Sequence, residues 1–445
     1  MKKFLYILLL MSSSGLLEAQ DSLGNSLRTF LRNGQVNGKT RIYFMETNNE
    51  FPLSDYHGLG IGAGIGYTTP TFKGFSAAMS GYFVLNAYSS DFNQLDSVTQ
   101  NPNRYELGLF DVTDPGNTSN LYRLENLWIR YKKDEVDLRY GQYVPDYEFI
   151  NPQDGRMSPT MVRGFDGKWN KGNSLVNLAF IHAISPRSTV KWYAVEETFG
   201  IYPAGRSKDG SSSDYTGNIQ SAGILLAEIS QRLKPNLSLK LGSMTVMNVF
   251  QTWTVNLDYK KAGWGIKLLT IQQQALNKNT NNTYYDESDG ALIFSGRIEK
   301  NFKKWNTNIN YTRIADKGRF LMPREWGREP LYTFLPRERN EGLANVHAFS
   351  FQVQNKVNEH LSGFIGAGRY LLPEAADATR NKYAIPSYNQ LNLMLDYHFN
   401  NFLEGASFKA LYVRKQAFDN HLENPKFVFN KVNLGLVNLI FNYTF

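Results

Sequence analysis

Apolar and polar side chains alternate along most of this chain. Trp253, Val255, Leu257 and Tyr259 oppose Thr252, Thr254, Asn256 and Asp258. Leu391, Leu393, Leu395, Tyr397 and Phe399 oppose Gln390, Asn392, Asp396 and His398, and Phe349, Phe351 and Val353 oppose Ser350, Gln352 and Gln354. At the C-terminal end Leu439, Phe441, Tyr443 and Phe445 share one face. Asn438, Asn442 and Thr444 take the other, with Ile440 as the exception. A period of two belongs to a strand. One greasy face and one hydratable face predict a sheet with lipid outside and water inside. No stretch approaches the roughly 18 uninterrupted apolar residues of a membrane-spanning helix.

The extended segments come in pairs. Short turns are expected at 71–74, 133–135, 170–172, 234–236, 260–263, 301–304, 358–360 and 400–405, most of them rich in Gly, Pro, Asn or Asp. Longer polar connections are expected near 48–57, 89–119, 145–159, 185–220, 276–287, 316–344, 372–386 and 419–430, with a brief one near 248–250. The count is about 18 segments with both ends on the short-turn side, the pattern of outer-membrane barrels. The predicted fold is all-β: a transmembrane antiparallel β-barrel with short periplasmic turns and long extracellular loops. No fixed repeat period marks a propeller or β-helix.

The N-terminus fits that compartment. Lys2 and Lys3 precede an apolar run from Phe4 to Met11, and Leu17-Glu18-Ala19 offers a small-residue exit. This is the layout of a signal peptide over 1–19, leaving 20–445 as one barrel domain. The terminal aromatic set Phe441, Tyr443 and Phe445 resembles the assembly signal by which the barrel-assembly machinery reads a closing strand.

Composition sharpens the picture. The chain has 26 Tyr, 29 Phe and 7 Trp, enough for aromatic girdles at two lipid interfaces. It has no cysteine, which excludes disulfides and thiolate metal sites. The net charge of +8 suggests a lumen that attracts anions, rather than nucleic acid, for an exported chain.

Three segments, FLRNGQVNGKTRIYFMETNN (Phe30 to Asn49), LRYGQYVPD running on to Arg163-Gly164-Phe165, and PREWGREPLYTFLPRERNEG (Pro323 to Gly342), resemble the OprD-type outer-membrane porins, substrate-specific channels for small carboxylate-bearing nutrients. The resemblance implies a monomer or weak trimer in lipid and lipopolysaccharide. It also implies a pore narrowed by inward loops and a ladder of arginines that draws carboxylates or amino-acid-like solutes through.

Arginine suits that task because its planar fork binds both carboxylate oxygens and stays charged. Arg139 opposes Val136, Leu138 and Tyr140; Arg130 opposes Leu127, Ile129 and Tyr131; Arg297 opposes Leu292, Phe294 and Ile298. All three are expected to face the lumen. Arg163, Arg369 and Arg414 join them as pathway candidates on poorly alternating strands. The connection 316–344 carries Arg324, Glu325, Trp326, Arg328, Glu329, Tyr332, Phe334, Arg337, Glu338 and Arg339. It reads either as an inward constriction loop presenting both charges to a solute or as an ion-paired plug.

Other chemistry is thin. No His-x-x-x-His pair suggests zinc, and the acidic run Asp286 to Gly290 lacks EF-hand spacing, so neither metal nor cofactor is expected. His347 and Ser350 hint at a barrel hydrolase, but residues three apart on a strand point to opposite faces. The competing functions are a channel for neutral or sugar solutes, a barrel enzyme, and an adhesion barrel with a blocked pore.

Overall fold

The computed structural model describes residues 28–153, 155–276, 284–285, 290–419 and 424–445. The expected signal peptide and the acidic residues Asp286 to Asp289 lie outside them.

The strands are β1 (Gln35–Asn49), β2 (Tyr56–Thr68), β3 (Phe75–Ser89), β4 (Leu121–Lys133), β5 (Val136–Tyr143), β6 (Met161–Lys171), β7 (Ser174–Ser185), β8 (Tyr193–Ala194), β9 (Ile224–Lys234) and β10 (Leu237–Val246). They continue as β11 (Phe250–Lys261), β12 (Trp264–Ala275), β13 (Gly290–Phe302), β14 (Trp305–Ile314), β15 (Val346–Lys356), β16 (Leu361–Leu371), β17 (Tyr388–His398), β18 (Ala406–Ala417) and β19 (Leu434–Thr444). Each barrel strand pairs antiparallel with its sequence neighbours, and β19 pairs with β1 to close the ring. The two-residue β8 only flanks the outer end of β7, where β9 is the barrel neighbour, so the ring has 18 strands. Closure leaves no unpaired edge in the membrane.

Turn chemistry sets the hairpins. Lys73-Gly74 and Ala262-Gly263 both have positive φ, the primed-turn geometry whose twist matches the flanking strands. The eight short turns fall at the expected places, and the long connections lie at the opposite end.

Side-chain parity separates two environments. Trp253, Val255, Ile309, Phe351, Leu393 and Leu395 are large, apolar and exposed on the outer wall. On the opposite parity Thr252, Thr254, Asn310, Ser350, Gln390 and Asn392 are buried inside. In β2 the inward residues are all glycine from Gly58 to Gly66. A Cβ at Gly62 would stand 2.2 Å from the Tyr82 hydroxyl, and one at Gly60 2.9 Å from the Met157 sulfur. The recess admits side chains from β3 and from the loop after β5.

The inner wall changes character near the external end. Ile224, Val246, Ile271, Ile293, Ile314 and Val346 face inward there and are fully buried. They are covered by the connections 144–160, 186–223 and 315–345, which fold into the barrel around Trp326, Phe199 and Phe250. Burial beneath those loops supplies the core, while the inner-wall side chains nearer the short turns are mostly polar.

The last strand behaves as its pattern predicts. Phe441 lies opposite Ile42 and Tyr443 opposite Thr40, on the outer face. Phe445 exchanges backbone hydrogen bonds with Gly38, and its ring occupies the space over Gly38 where a Cβ would collide at 2.2 Å.

Candidate functional site

Connection 315–345 crosses the lumen. Its backbone is held by inward side chains of successive strands. Arg297 of β13 donates to the Tyr332 carbonyl at 3.1 Å, Gln352 of β15 to Phe334 at 3.1 Å, Tyr370 of β16 to Thr333 at 3.1 Å, and Gln390 and Asn392 of β17 to Pro336 at 2.8 and 3.0 Å. At its far side Arg337 Nη2 donates to the Tyr43 hydroxyl of β1 at 3.2 Å. Inward polar side chains on β13, β15, β16 and β17 therefore act as rungs for one loop.

Within that loop most charges are internally paired. Arg324 donates to Glu341 at 2.8 Å and lies over the Tyr383 ring at 3.6 Å. Lys382 approaches the same carboxylate at 3.6 Å. Glu329 accepts from the Asn340 backbone at 2.7 Å and faces Arg339 at 3.7 Å. Glu338 accepts from the Asn340 side chain. Trp326 is wholly buried, with Nε1 donating to Thr198 at 2.8 Å, so it anchors the loop and does not line a pore. Glu325 takes a backbone hydrogen bond from Tyr202 at 2.7 Å, and burial pushes its carboxyl up to about 7. Arg328 is exposed and lies over the Phe334 ring at 4.8 Å. Most of the loop's charges are thus paired in its interior, while Tyr332, Phe334 and Arg337 are half-buried at its edge.

The inward-facing strand arginines are in place but engaged. Arg130 is paired with Asp137 across the β4–β5 hairpin, and Arg139 with Asp166 at 2.9 Å while stacking over Tyr143 at 3.9 Å. Arg297 has neutral partners, Asn310 at 2.6 Å and the Tyr332 carbonyl.

The other three candidates depart from expectation. Arg369 lies opposite Phe349, Arg414 opposite Leu391, and Arg163 opposite Gln142, itself paired with outward Leu127. All three point outward near the external rim. Arg369 lies over Phe418 at 4.3 Å and Arg163 over Trp192 at 4.8 Å. The residues beside them, Val162, Tyr370 and Val413, take the inward positions and are fully buried under the loops. His347 and Ser350 fall on opposite faces, His347 beside outward Tyr311 and Ser350 buried inside.

A different set of cations converges in the lumen. Arg156 comes from the connection after β5, Arg187 from that after β7, and Arg337 from the crossing loop. Arg156 donates to its neighbour's carbonyl, Gly155, at 2.7 Å, and Arg187 to Gln153 at 3.3 Å. Among the described residues none has a carboxylate partner within salt-bridge distance, and the Nε of each is buried without a partner. Burial, then the charges of Arg337 and Arg187, push the proton affinity of Arg156 well down. Burial pushes Arg187 down to about 10 despite the nearby Tyr202. Gly108 makes the approach possible, since a Cβ there would sit 2.6 Å from Arg156 Nε. Arg337 holds a φ of 74°, a conformation unfavourable for a residue with a Cβ, in order to reach Tyr43. Mutual repulsion in a low-dielectric pocket is relieved by an anion. Arg41 adjoins the group, its Nη1 donating to the Arg156 carbonyl at 2.6 Å. Of these, only Arg337 was a sequence candidate. Arg41 shares parity with apolar Tyr43 and Met45, and Arg156 and Arg187 sit in aperiodic loops.

No protein-family profile and no curated protein matches the sequence. Solved structures match it by shape. Pseudomonas aeruginosa OccK9 (OpdG) is 12% identical, with a TM-score of 0.73 over 93% of this chain and 99% of that one. Acinetobacter baumannii OccAB2 is 12% identical, with a TM-score of 0.71 over 94% and 98%. Pseudomonas aeruginosa OpdK with vanillate is 12% identical, with a TM-score of 0.69 over 94% and 99%. The fold is therefore that of the OprD-type outer-membrane channels, along the full length of the barrel. The barrel read from the period-two pattern and the architecture agree.

Proposed function

We propose that this chain is an outer-membrane porin of the OprD type, passing small solutes that carry a carboxylate. The observation that carries the selectivity is the group Arg156, Arg187 and Arg337: three guanidiniums from three loops, Arg156 buried and the other two half-buried, none within salt-bridge distance of a carboxylate of the described residues. The vanillate bound by OpdK, a carboxylate on a barrel of the same fold, is consistent with it. Passage needs attraction that is not too strong, and repulsion among the three arginines keeps any one anion from being held in a fully compensated site.

A second reading rests on the wall. Arg130–Asp137, Arg139–Asp166, Lys240–Glu228, Lys267–Glu299 and Lys409–Asp396 place both signs along it. A balanced wall favours zwitterionic or neutral solutes. Reversal potentials of the reconstituted channel in a salt gradient, with liposome uptake of carboxylates, amino acids and sugars, decide between them. Anion preference with carboxylate uptake supports the first reading. Equal passage of sugars and carboxylates at zero reversal potential overturns it.

A further inference from the structure

Apart from Arg163 on β6, the outward arginines near the rim share one side of the barrel. On five adjacent strands, β14 to β18, the outer wall near the external rim carries Arg313, His347, Arg369 and Arg414. Arg313 lies directly opposite His347, and Arg369 opposite Phe349 on one side and Asn389 on the other. Asn389 in turn opposes Gln416, two residues from Arg414. Four strand spacings make this patch about 19 Å wide.

Among the described residues the guanidiniums meet neutral groups. Arg313 donates to the Ile314 and Val346 carbonyls and to Asn345, Arg369 lies over the Phe418 ring, and Arg414 donates to Gln416 at 3.0 Å. Among the described residues, no carboxylate shares the outward parity on these five strands. The same level elsewhere is different: β12 presents Gln272 and Gln274, and β1 presents Glu46. Directly toward the membrane centre the patch gives way to Ile309, Phe351, Leu391 and Leu393, exposed and apolar.

We infer that this face is a docking site for a phosphorylated lipid of the outer leaflet, of the lipopolysaccharide class, with phosphates on Arg313, Arg369 and Arg414 and acyl chains along the apolar wall below. The inference rests on the outer-membrane reading. An arginine fork matches phosphate oxygens in pairs. A cation on the outer wall costs about 2–4 kcal/mol at mid-membrane but only about 0–1 near the interface. Three clustered there, with apolar surface beneath, match an anionic head and its chains. A barrel merely tolerating interfacial arginines would not set three of these four within five adjacent strands.

The test uses the intact folded barrel in detergent with a fluorescent diphosphorylated lipid A probe. R369Q/R414Q is compared with the parent and with R163Q on a distant strand. Heat-modifiable migration and channel conductance confirm a folded pore in each, so that failure of the outer-membrane reading is separately visible. The expected result is at least about tenfold weaker probe binding for R369Q/R414Q, unchanged binding for R163Q, weaker binding of a dephosphorylated probe, and no competition by inorganic phosphate at matched concentration. Should the double variant fail to fold, R414Q alone is expected to weaken binding about threefold. Equal probe binding by the parent and the folded variant overturns the site, as does full competition by free phosphate.

Discussion

Arg139 on the barrel wall and Arg156 on an inward loop both face the lumen, yet they are chemically opposite. Arg139 stands 2.9 Å from Asp166 and lies over Tyr143. Among the described residues Arg156 has no carboxylate within salt-bridge distance; it donates to the Gly155 carbonyl and is repelled by Arg337 and Arg187. A paired charge fixes its own geometry and has little attraction left for a solute. An unpaired one leaves its electrostatic energy available to whatever passes. Under the proposed function, an uncompensated charge, rather than a position facing the pore, is what would steer a solute. Strands supply the first kind because cross-strand neighbours pair readily. Loops from different parts of the chain can force like charges together.

The largest expected effect is structural and lies on the paired side. Arg139→Leu leaves the Asp166 carboxylate, nearly buried and also held by Tyr147, without its cation. Breaking such a pair costs about 3 kcal/mol. Urea unfolding of the heat-modifiable barrel is expected to shift to lower denaturant, with selectivity in surviving channels near that of the parent. Arg139→Leu with Asp166→Asn should recover most of the loss. A variant of unchanged stability but reduced anion preference would erase the distinction.

On the unpaired side, Arg156→Gln with Arg337→Gln should lower the anion-to-cation permeability ratio by about tenfold, equivalent to about 1.4 kcal/mol, while relieving repulsion and leaving stability level or higher. Reversal potentials measure the first and urea unfolding the second. Arg297 falls between the two classes, with neutral partners but a place on the wall. Arg297→Gln is expected to reduce carboxylate flux by about twofold in liposome uptake, less than the loop pair.

The same contrast explains what the sequence reveals. Wall strands alternate because one face meets lipid and the other meets water, so the turns, loops and the parity of Arg130, Arg139 and Arg297 are readable from period alone. Near the external end the inner face meets loops instead of water. Val162, Tyr370 and Val413 are apolar and point inward there, which leaves Arg163, Arg369 and Arg414 as the polar residues by elimination and reverses their apparent direction. Arg156 and Arg187 have no period to read. Their meeting depends on three loops crossing one lumen and on Gly108 giving way, which is a tertiary fact. The loop's charged residues were visible as a group, but which of them pair, as Arg324 does with Glu341, follows only from contacts distant in sequence.

The smallest expected effect tests whether the crossing loop itself responds to pH. Glu325 lies buried within the loop and accepts one backbone hydrogen bond from Tyr202. Burial raises its carboxyl from the ordinary 4.5 to about 7. Between those values the folded chain holds a proton that the unfolded chain releases. The favourable contribution is therefore complete below about pH 4.5 and is lost as pH rises through about 7. The loop should then open more readily at pH 8 than at pH 5.5. Because the event is local, the change in protease susceptibility at matched protease activity is expected to be about threefold. Glu325→Gln keeps the shape, removes the titration and should flatten the profile near its low-pH level. The paired residue Glu341, held below the usual range by Lys382 and Arg324 against the cost of burial, carries no such window in this interval. A parent profile that does not change between pH 5.5 and 8, or a glutamine variant with the same slope as the parent, would show that Glu325 is charged in the fold and that Tyr202 alone compensates it.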